Sequence, residues 1–171
     1  WINKLEMSIY RTFGYVPELC SYNINLESAF DINRVQYNSS HILLQVISGS
    51  PADTAKILCI VEVDLFIPVL TFVFGEAQLR GMGSIVSLHR LNNKFYGLQH
   101  DSELLADRLI KEAVHELGHN FGLVHCSNPK CVMRSSTYVE DIDQKSDQMC
   151  AVCEKELGLL KAHGEFRQGR K

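Results

Sequence analysis

One string of residues in this chain has the types and spacing of a catalytic metal site. His115 and His119 are four residues apart in a segment whose apolar residues recur with helical period, so both imidazoles would lie on one helix face. Glu116 lies one step round the same helix, too offset to be a ligand but close enough to reach a water held by the metal. Zinc suits this arrangement, because it accepts nitrogen ligands at about 2.0–2.1 Å in a tetrahedron with one position left open.

A third ligand is expected beyond a bend in the chain. Gly122 follows His119 by three residues, where a glycine can take the left-handed conformation that turns the chain sharply. His125 follows after three more, which completes the string H-E-x-x-H-x-x-G-x-x-H. The alternative is two ordinary helix histidines with His125 incidental, and the glycine at the required place disfavours it. The full string is the metzincin metalloprotease signature, which also needs a methionine below the metal, and Met133 is placed to supply it.

A second cluster consists of four cysteines spaced as C-x4-C and C-x2-C, namely Cys126, Cys131, Cys150 and Cys153. Four thiolates fit a closed tetrahedral zinc site, which would stabilise a segment poor in apolar residues. The alternative is two disulfides, or free thiols in a loop. Ligand spacing favours zinc and, with it, a reducing, cytoplasmic compartment. The other two cysteines, Cys20 and Cys59, are expected to be small buried apolar residues.

Together these motifs resemble one known family. The string H-E-L-G-H-N-F-G-L-V-H-C-x4-C-V-M, followed by C-A-V-C, is similar to the archaemetzincins, which couple a metzincin active site to a four-cysteine zinc site. Two upstream segments, 63–66 (V-D-L-F) and 72–77 (F-V-F-G-E-A), also resemble family segments, so the likeness extends over most of the chain. The run from Met133 to Cys150 is one residue shorter than the usual family spacing.

The resemblance implies an α+β, metzincin-like fold, with a twisted mixed β-sheet, a backing helix, an active-site helix and a small zinc-stabilised C-terminal subdomain. We expect residues 1–122 to form the sheet and helix subdomain, and residues 123–171 to carry the methionine turn and the cysteine site. The family arrangement also makes 72–77 a candidate for the antiparallel strand that pairs with bound peptide, although a simple core strand fits equally well. The strand that normally precedes the first helix is either missing or lies before Trp1.

These features predict a zinc metallopeptidase with two zinc ions, one catalytic and one structural. Zinc lowers the pKa of its bound water towards 7 and polarises the scissile carbonyl, and Glu116 would accept the proton of that water as general base. Two alternatives remain open, a metzincin-like protein that binds metal with little turnover and a zinc-stabilised protein-binding module. The partner of the enzyme would be a peptide or protein substrate, and the sequence indicates neither its identity nor an oligomeric state.

Composition narrows the remaining classes. The 171 residues, with a mass of 19.4 kDa, fit one compact domain, and 46% apolar with 22% charged residues is typical of a globular protein. A formal net charge of −3 argues against general binding to nucleic acid or to anionic membranes. The most apolar stretch, 57–74, contains two acidic residues and a proline in its interior, so it is not expected to span a membrane.

The elements that must position these residues follow from hydrophobic periodicity and helix caps. The longest helix, about Glu103 to Phe121, carries the first two histidines and begins after an N-cap at Asp101 or Ser102. Residues 123–153 show little periodicity and the basic tail after Gly164 is expected to be unstructured. The other predicted elements are helices over 2–13, around 42–47 and over 154–163, and strands over 20–26, 57–63, 71–77 and 84–88.

Overall fold

The computed structural model describes residues 1–163, so the basic tail that we expected to be unstructured lies outside the described residues. Each helix in the described range is too short or too polar to cross a membrane. The α-helices of this range are α1 (Ile2–Phe13), α2 (Ser39–Ser48), α3 (Ser102–Asn120), α4 (Val139–Gln144) and α5 (Ala151–His163).

Local sequence signals set the ends of these helices. Gly14 ends α1 with a φ of 74°, and its N–H donates to a carbonyl of the last helical turn. The side chain of Asn38 accepts a hydrogen bond from the N–H of His41 at the start of α2, at 3.0 Å. Asp101 does the same for the N–H groups of Glu103 and Leu104, both at 3.0 Å, at the start of α3. Each cap satisfies backbone groups that a helix end leaves unpaired, and the cap at Asp101 is one of the two that the sequence predicts for α3.

The strands fall into two small sheets that contain parallel and antiparallel pairs. In chain order they are β1 (Phe30–Asp31), β2 (Gln36–Asn38), β3 (Ile57–Val61), β4 (Leu65–Phe66), β5 (Gly75–Ala77) and β6 (Gly83–Ser87). The order is β1-β2-β4 in one sheet and β3-β6-β5 in the other. Strand β3 runs parallel to β6, whereas β5 is antiparallel to β6 and lies at the edge of its sheet. The predicted α+β class is confirmed, and the candidate segment 72–77 contains an antiparallel strand at the edge of its sheet.

The second sheet lies between two layers of helix. Ile85 of β6 packs with Ile42 and Leu43 of α2 on one face of the sheet. Val86, the next residue of β6, packs with Leu109 of α3 on the opposite face. The alternation of side chains along a strand thus divides β6 between the two layers. Helix α3 also packs on its far side against α1, α5 and the segment around Met133, so it is buried almost all round.

Some predicted strands were wrong or too long. Residues 20–26 do not form a strand: only Ile24 and Leu26 pack against the core, and the N–H of Asn25 donates to the side chain of Gln45 instead of to a neighbouring strand. The alternation of apolar residues over 20–26 therefore reflects the two side chains that pack against the core, Ile24 and Leu26, and not a strand. The predicted strand 71–77 is reduced to β5, because the residues before it form turns around a bridge between Leu65 and Val73.

Two other expectations need correction. The region 123–153, predicted to be irregular, contains α4, a six-residue helix too short to show a clear helical period. Cys20 is exposed rather than buried, because it belongs to the extended segment that replaces the predicted strand, while Cys59 is half-buried in β3.

Candidate metal centres

His115, Glu116 and His119 lie in the last turns of α3. Helix α3 is held between the sheet and α1, so His115 is 5% exposed and Glu116 is 6% exposed. The helix ends at Asn120, and Gly122 then takes a φ of 104°, with its N–H donating to the carbonyl oxygen of His119 at 2.9 Å. A residue with a side chain would be strained in this conformation. The predicted glycine bend is therefore present, and it turns the chain back towards the helix face that carries the histidines.

Three imidazoles converge at this bend. One ring nitrogen from each of His115, His119 and His125 lies within 4.8 Å of the other two, and the Nε2 atoms of the first two are 3.1 Å apart. Two ligands of a tetrahedral zinc at about 2.0–2.1 Å would be about 3.3–3.4 Å apart, so this spacing fits one ion. Within residues 1–163, no fourth histidine, cysteine or carboxylate joins the group. A site with three protein ligands has the composition of a catalytic rather than a closed structural zinc site.

Backbone carbonyls orient two of the three rings. Nδ1 of His115 lies 2.8 Å from the carbonyl oxygen of Val132, and Nδ1 of His119 lies 2.8 Å from that of Leu123. A carbonyl oxygen can only accept a hydrogen bond, so each Nδ1 carries the ring proton and each Nε2 keeps its lone pair. Both rings thus present the tautomer and the atom that a metal requires.

Burial sets the protonation of the site. Desolvation lowers the pKa of all three histidines, that of His115 well below its usual range, and the buried cation of Lys145 adds to the effect. The imidazoles are therefore neutral at neutral pH, which is the form that binds metal. The same desolvation raises the pKa of Glu116 well above its usual range, and the neighbouring carboxylate of Glu112 raises it further.

The side chain of Met133 packs against α3 within the histidine motif. It is fully buried against Gly118, one of the two residues between Glu116 and His119. A Cβ at Gly118 would collide with the sulfur and the terminal methyl of Met133. The carbonyl oxygen of Met133 also accepts a hydrogen bond from the N–H of Cys126 at 2.9 Å. The segment around Met133 is thus packed against α3 and tied to the residue that follows His125.

A buried ion pair that sequence reasoning missed lies one helical turn before Glu116. The Nζ of Lys145 is 2.9 Å from Oε1 of Glu112, a charge contact outside hydrogen-bond geometry, and it donates to the carbonyl oxygen of Arg134 at 3.2 Å. The two side chains are 1% and 5% exposed. Since Arg134 follows Met133, Lys145 joins α3 to the segment around Met133. The position of Glu112 on the buried face of α3 could have indicated a buried charge pair. Nothing in the neighbouring sequence identifies Lys145 as the partner.

The four cysteines form a second cluster beside the first. Their Sγ atoms all lie within 4.8 Å of one another, and those of Cys126 and Cys150 are 3.8 Å apart. That distance matches the edge of a tetrahedron with Zn–S bonds of about 2.3 Å, which is about 3.8 Å. A disulfide would need about 2.0 Å, and all six cysteines of the chain are free. Backbone N–H groups donate to the sulfurs of Cys126 and Cys131, as suits thiolates.

Comparison with known proteins agrees with this geometry. The profile of peptidase family M54 matches residues 5–159. An archaemetzincin from Pyrococcus furiosus is 44% identical over 165 residues, which cover 94% of this chain and 85% of that protein. The crystal structure of an archaemetzincin from Methanopyrus kandleri has a TM-score of 0.84 at 32% identity, over 95% of this chain and 86% of that one. The crystal structure of a zinc-dependent peptidase from Methanocorpusculum labreanum has a TM-score of 0.77 at 31% identity, over 90% and 91%. The chain therefore belongs to peptidase family M54, the archaemetzincin family of zinc metallopeptidases.

Proposed function

We propose that this chain hydrolyses peptide bonds, with one zinc ion held by His115, His119 and His125 and with Glu116 as general base. The observation that carries the proposal is the convergence of three neutral imidazoles next to a buried carboxylate on the same helix. When bound, zinc would polarise the scissile carbonyl and lower the pKa of a water molecule towards 7. No other side chain of the described residues combines burial, a raised pKa and a place on this helix face beside the imidazoles.

Glu116 is suited to moving a proton because of its surroundings. Burial disfavours its charged form, so it accepts a proton more readily than an exposed carboxylate would. It takes the proton of the attacking water and then gives it to the leaving amine. The same carboxylate thus serves both halves of the reaction.

The open edge of β5 supports an extended peptide as substrate. The carbonyl oxygen of Phe74 and the N–H of Gln78 both bond to β6. In an antiparallel ladder successive residues point their backbone groups in opposite directions, so those of Gly75 and Ala77 point away from β6. No described strand pairs with β5 on that side. A peptide or protein segment that adds there would be bound through its main chain.

We further propose that the four cysteines hold a second, structural zinc. The N–H of Cys126 bonds to Met133, and Val132, which accepts from His115, follows Cys131 directly. A metal at the cysteines would therefore hold two supports of the histidine site in place. We accordingly propose two subdomains, residues 1–122 with the sheet and residues 123–171 with the structural zinc. Because thiolate ligands persist under reducing conditions, we place the protein in the cytoplasm.

Cleavage of a peptide library by the zinc-loaded protein tests the proposed reaction. We expect products that disappear when zinc is removed by a chelator and return when zinc is added back. A folded protein with two zinc ions per chain and no products would instead support a metal-binding protein with little turnover. A single zinc bound only by sulfur, without cleavage, would support a protein-binding module.

Substitution of Cys150 by serine tests the second zinc. We expect the zinc content to fall from two ions to one, because a closed site loses a quarter of its ligands. The unfolding midpoint should fall by at least about 5 °C, since 1 kcal/mol corresponds to about 2–4 °C in a chain of this size. The measurements are elemental analysis and calorimetry, with Cys20→Ser, at an exposed cysteine outside the cluster, as control. Two ions retained in Cys150→Ser would contradict the assignment.

A further inference from the structure

Gly75, the first residue of β5, lies directly against the side chain of Glu116. A Cβ built on Gly75 would be 2.8 Å from both Cγ and Oε1 of Glu116, and 2.7 Å from the carbonyl oxygen of Ile85. Contacts this short do not occur between a real Cβ and its neighbours, so any side chain at this position must displace the carboxylate or the strand. The backbone of Gly75 is outside the left-handed region. The glycine is therefore required for room and not for its conformational freedom.

Strand β5 is anchored on its opposite face. Glu76 points towards α2, where its carboxylate accepts hydrogen bonds from the hydroxyls of Ser39 at 2.5 Å and Ser40 at 2.7 Å. Both serines belong to the first turn of α2, where the helix dipole favours a negative charge. Because Glu76 is held in this way, β5 cannot move away from Glu116 without breaking these bonds.

The end of β5 is fixed to α3 as well. The side-chain amide of Asn120 donates to the carbonyl oxygens of Gln78 at 3.1 Å and Gly83 at 2.8 Å. The N–H of Arg80 donates to the carbonyl oxygen of His119 at 2.9 Å. The turn between β5 and β6 is thus bonded to the end of the helix that carries the histidines. The separation between β5 and Glu116 is set by fixed contacts on both sides.

We propose that Gly75 is a positioning residue for Glu116. Its missing side chain provides the space that the carboxylate occupies beneath the edge strand, while its outward-facing N–H and C=O groups remain available to a peptide. The inference rests on the proposed function in taking Glu116 as the general base and β5 as the peptide-binding edge. It also sets the register of the bound peptide: the peptide residue that pairs with Gly75 has its main chain beside Glu116, the proton acceptor. The scissile bond is therefore adjacent to that peptide residue, whatever its side chain.

A double-mutant cycle on stability tests the contact without any need for activity. We expect Gly75→Ala to lower the unfolding midpoint by several degrees in the parent chain and by less than half as much in a Glu116→Ala background. Gly83→Ala is the matched control. Its Cβ would meet the side chains of Ile47 at 2.6 Å and Leu43 at 2.9 Å, on the face of the sheet away from Glu116. The loss that it causes should be the same in both backgrounds.

Two results of the cycle would overturn the proposal. If Gly75→Ala lowers the unfolding midpoint equally with and without the Glu116 side chain, the contact with the carbonyl of Ile85 alone explains why a glycine is required at position 75. The same conclusion follows if neither Gly75→Ala nor the double variant folds. If only the double variant folds, the two side chains compete for one space, as proposed.

Kinetics supply the second readout. We expect Gly75→Ala to lower kcat by about 10–100-fold, because a displacement of about 1 Å in a catalytic group has an effect of this size. KM should change less than about threefold, since the outward backbone groups are kept. A KM that rises while kcat is unchanged, or kinetics equal to the parent, would overturn the positioning role. If the parent chain cleaves no peptide, the proposed function fails, and the stability cycle still decides whether Gly75 makes room for Glu116.

Discussion

Substitution of Glu116 by glutamine is expected to lower kcat by about 10²–10⁴-fold, the usual contribution of a general base. Both zinc ions should stay bound. Glutamine has nearly the same size, so it keeps the buried position against Gly75. Its amide cannot accept the proton of the attacking water. Since Glu116 does not belong to the group of converging imidazoles, its replacement removes no ligand.

The measurement is kcat on a fluorogenic peptide, together with zinc per chain and the unfolding midpoint. Glu103→Gln is the control, because Glu103 is an exposed carboxylate in the first turn of the same helix, and we expect it to match the parent in all three. Equal cleavage by Glu116→Gln and the parent would exclude Glu116 as the base. Loss of zinc from Glu116→Gln would instead identify Glu116 as a ligand.

The geometry of the histidine site could be predicted because each part of it depends on local rules. The helical period places His115 and His119 on one face, and a glycine that permits a left-handed turn can return the chain to that face. The structure shows this bend at Gly122 and brings His125 to the other two rings. Helix ends were predictable for the same reason, since the side chain of Asp101 caps an amide only three residues away.

What could not be predicted depends on contacts between distant parts of the chain. The carbonyl of Val132 that orients His115 belongs to an irregular segment, and a backbone acceptor carries no sequence signal. Strands β1, β2 and β4 have two or three residues each, too few for alternation to be detected. Gly75 is visible in the sequence as one glycine among eleven. Only the fold shows that Glu116 occupies the space beside it.

Substitution of Lys145 by methionine is expected to lower the free energy of unfolding by about 3–5 kcal/mol, the usual result of removing one partner from a buried ion pair. Methionine has a similar length and volume, so packing is largely kept. The carboxylate of Glu112, 5% exposed, is left without its cation, and the carbonyl of Arg134 loses a donor. Lys130→Met is the control, because Lys130 is an exposed lysine that also donates to a backbone carbonyl, and it should change stability by less than about 0.5 kcal/mol.

A second substitution separates the buried charge from the loss of the lysine itself. In the Lys145→Met background, Glu112→Gln removes the unpaired charge, so denaturant unfolding of the zinc-loaded double variant should recover part of the lost free energy. We also expect Lys145→Met to weaken zinc binding at the histidines, because it removes the bond from Lys145 to the residue after Met133. The double variant still lacks that bond, so its zinc affinity should not recover. A loss below about 1 kcal/mol for Lys145→Met would show that Glu112 finds another partner or water. A double variant with parental zinc affinity would show that the ion pair stabilises the fold without supporting the metal site.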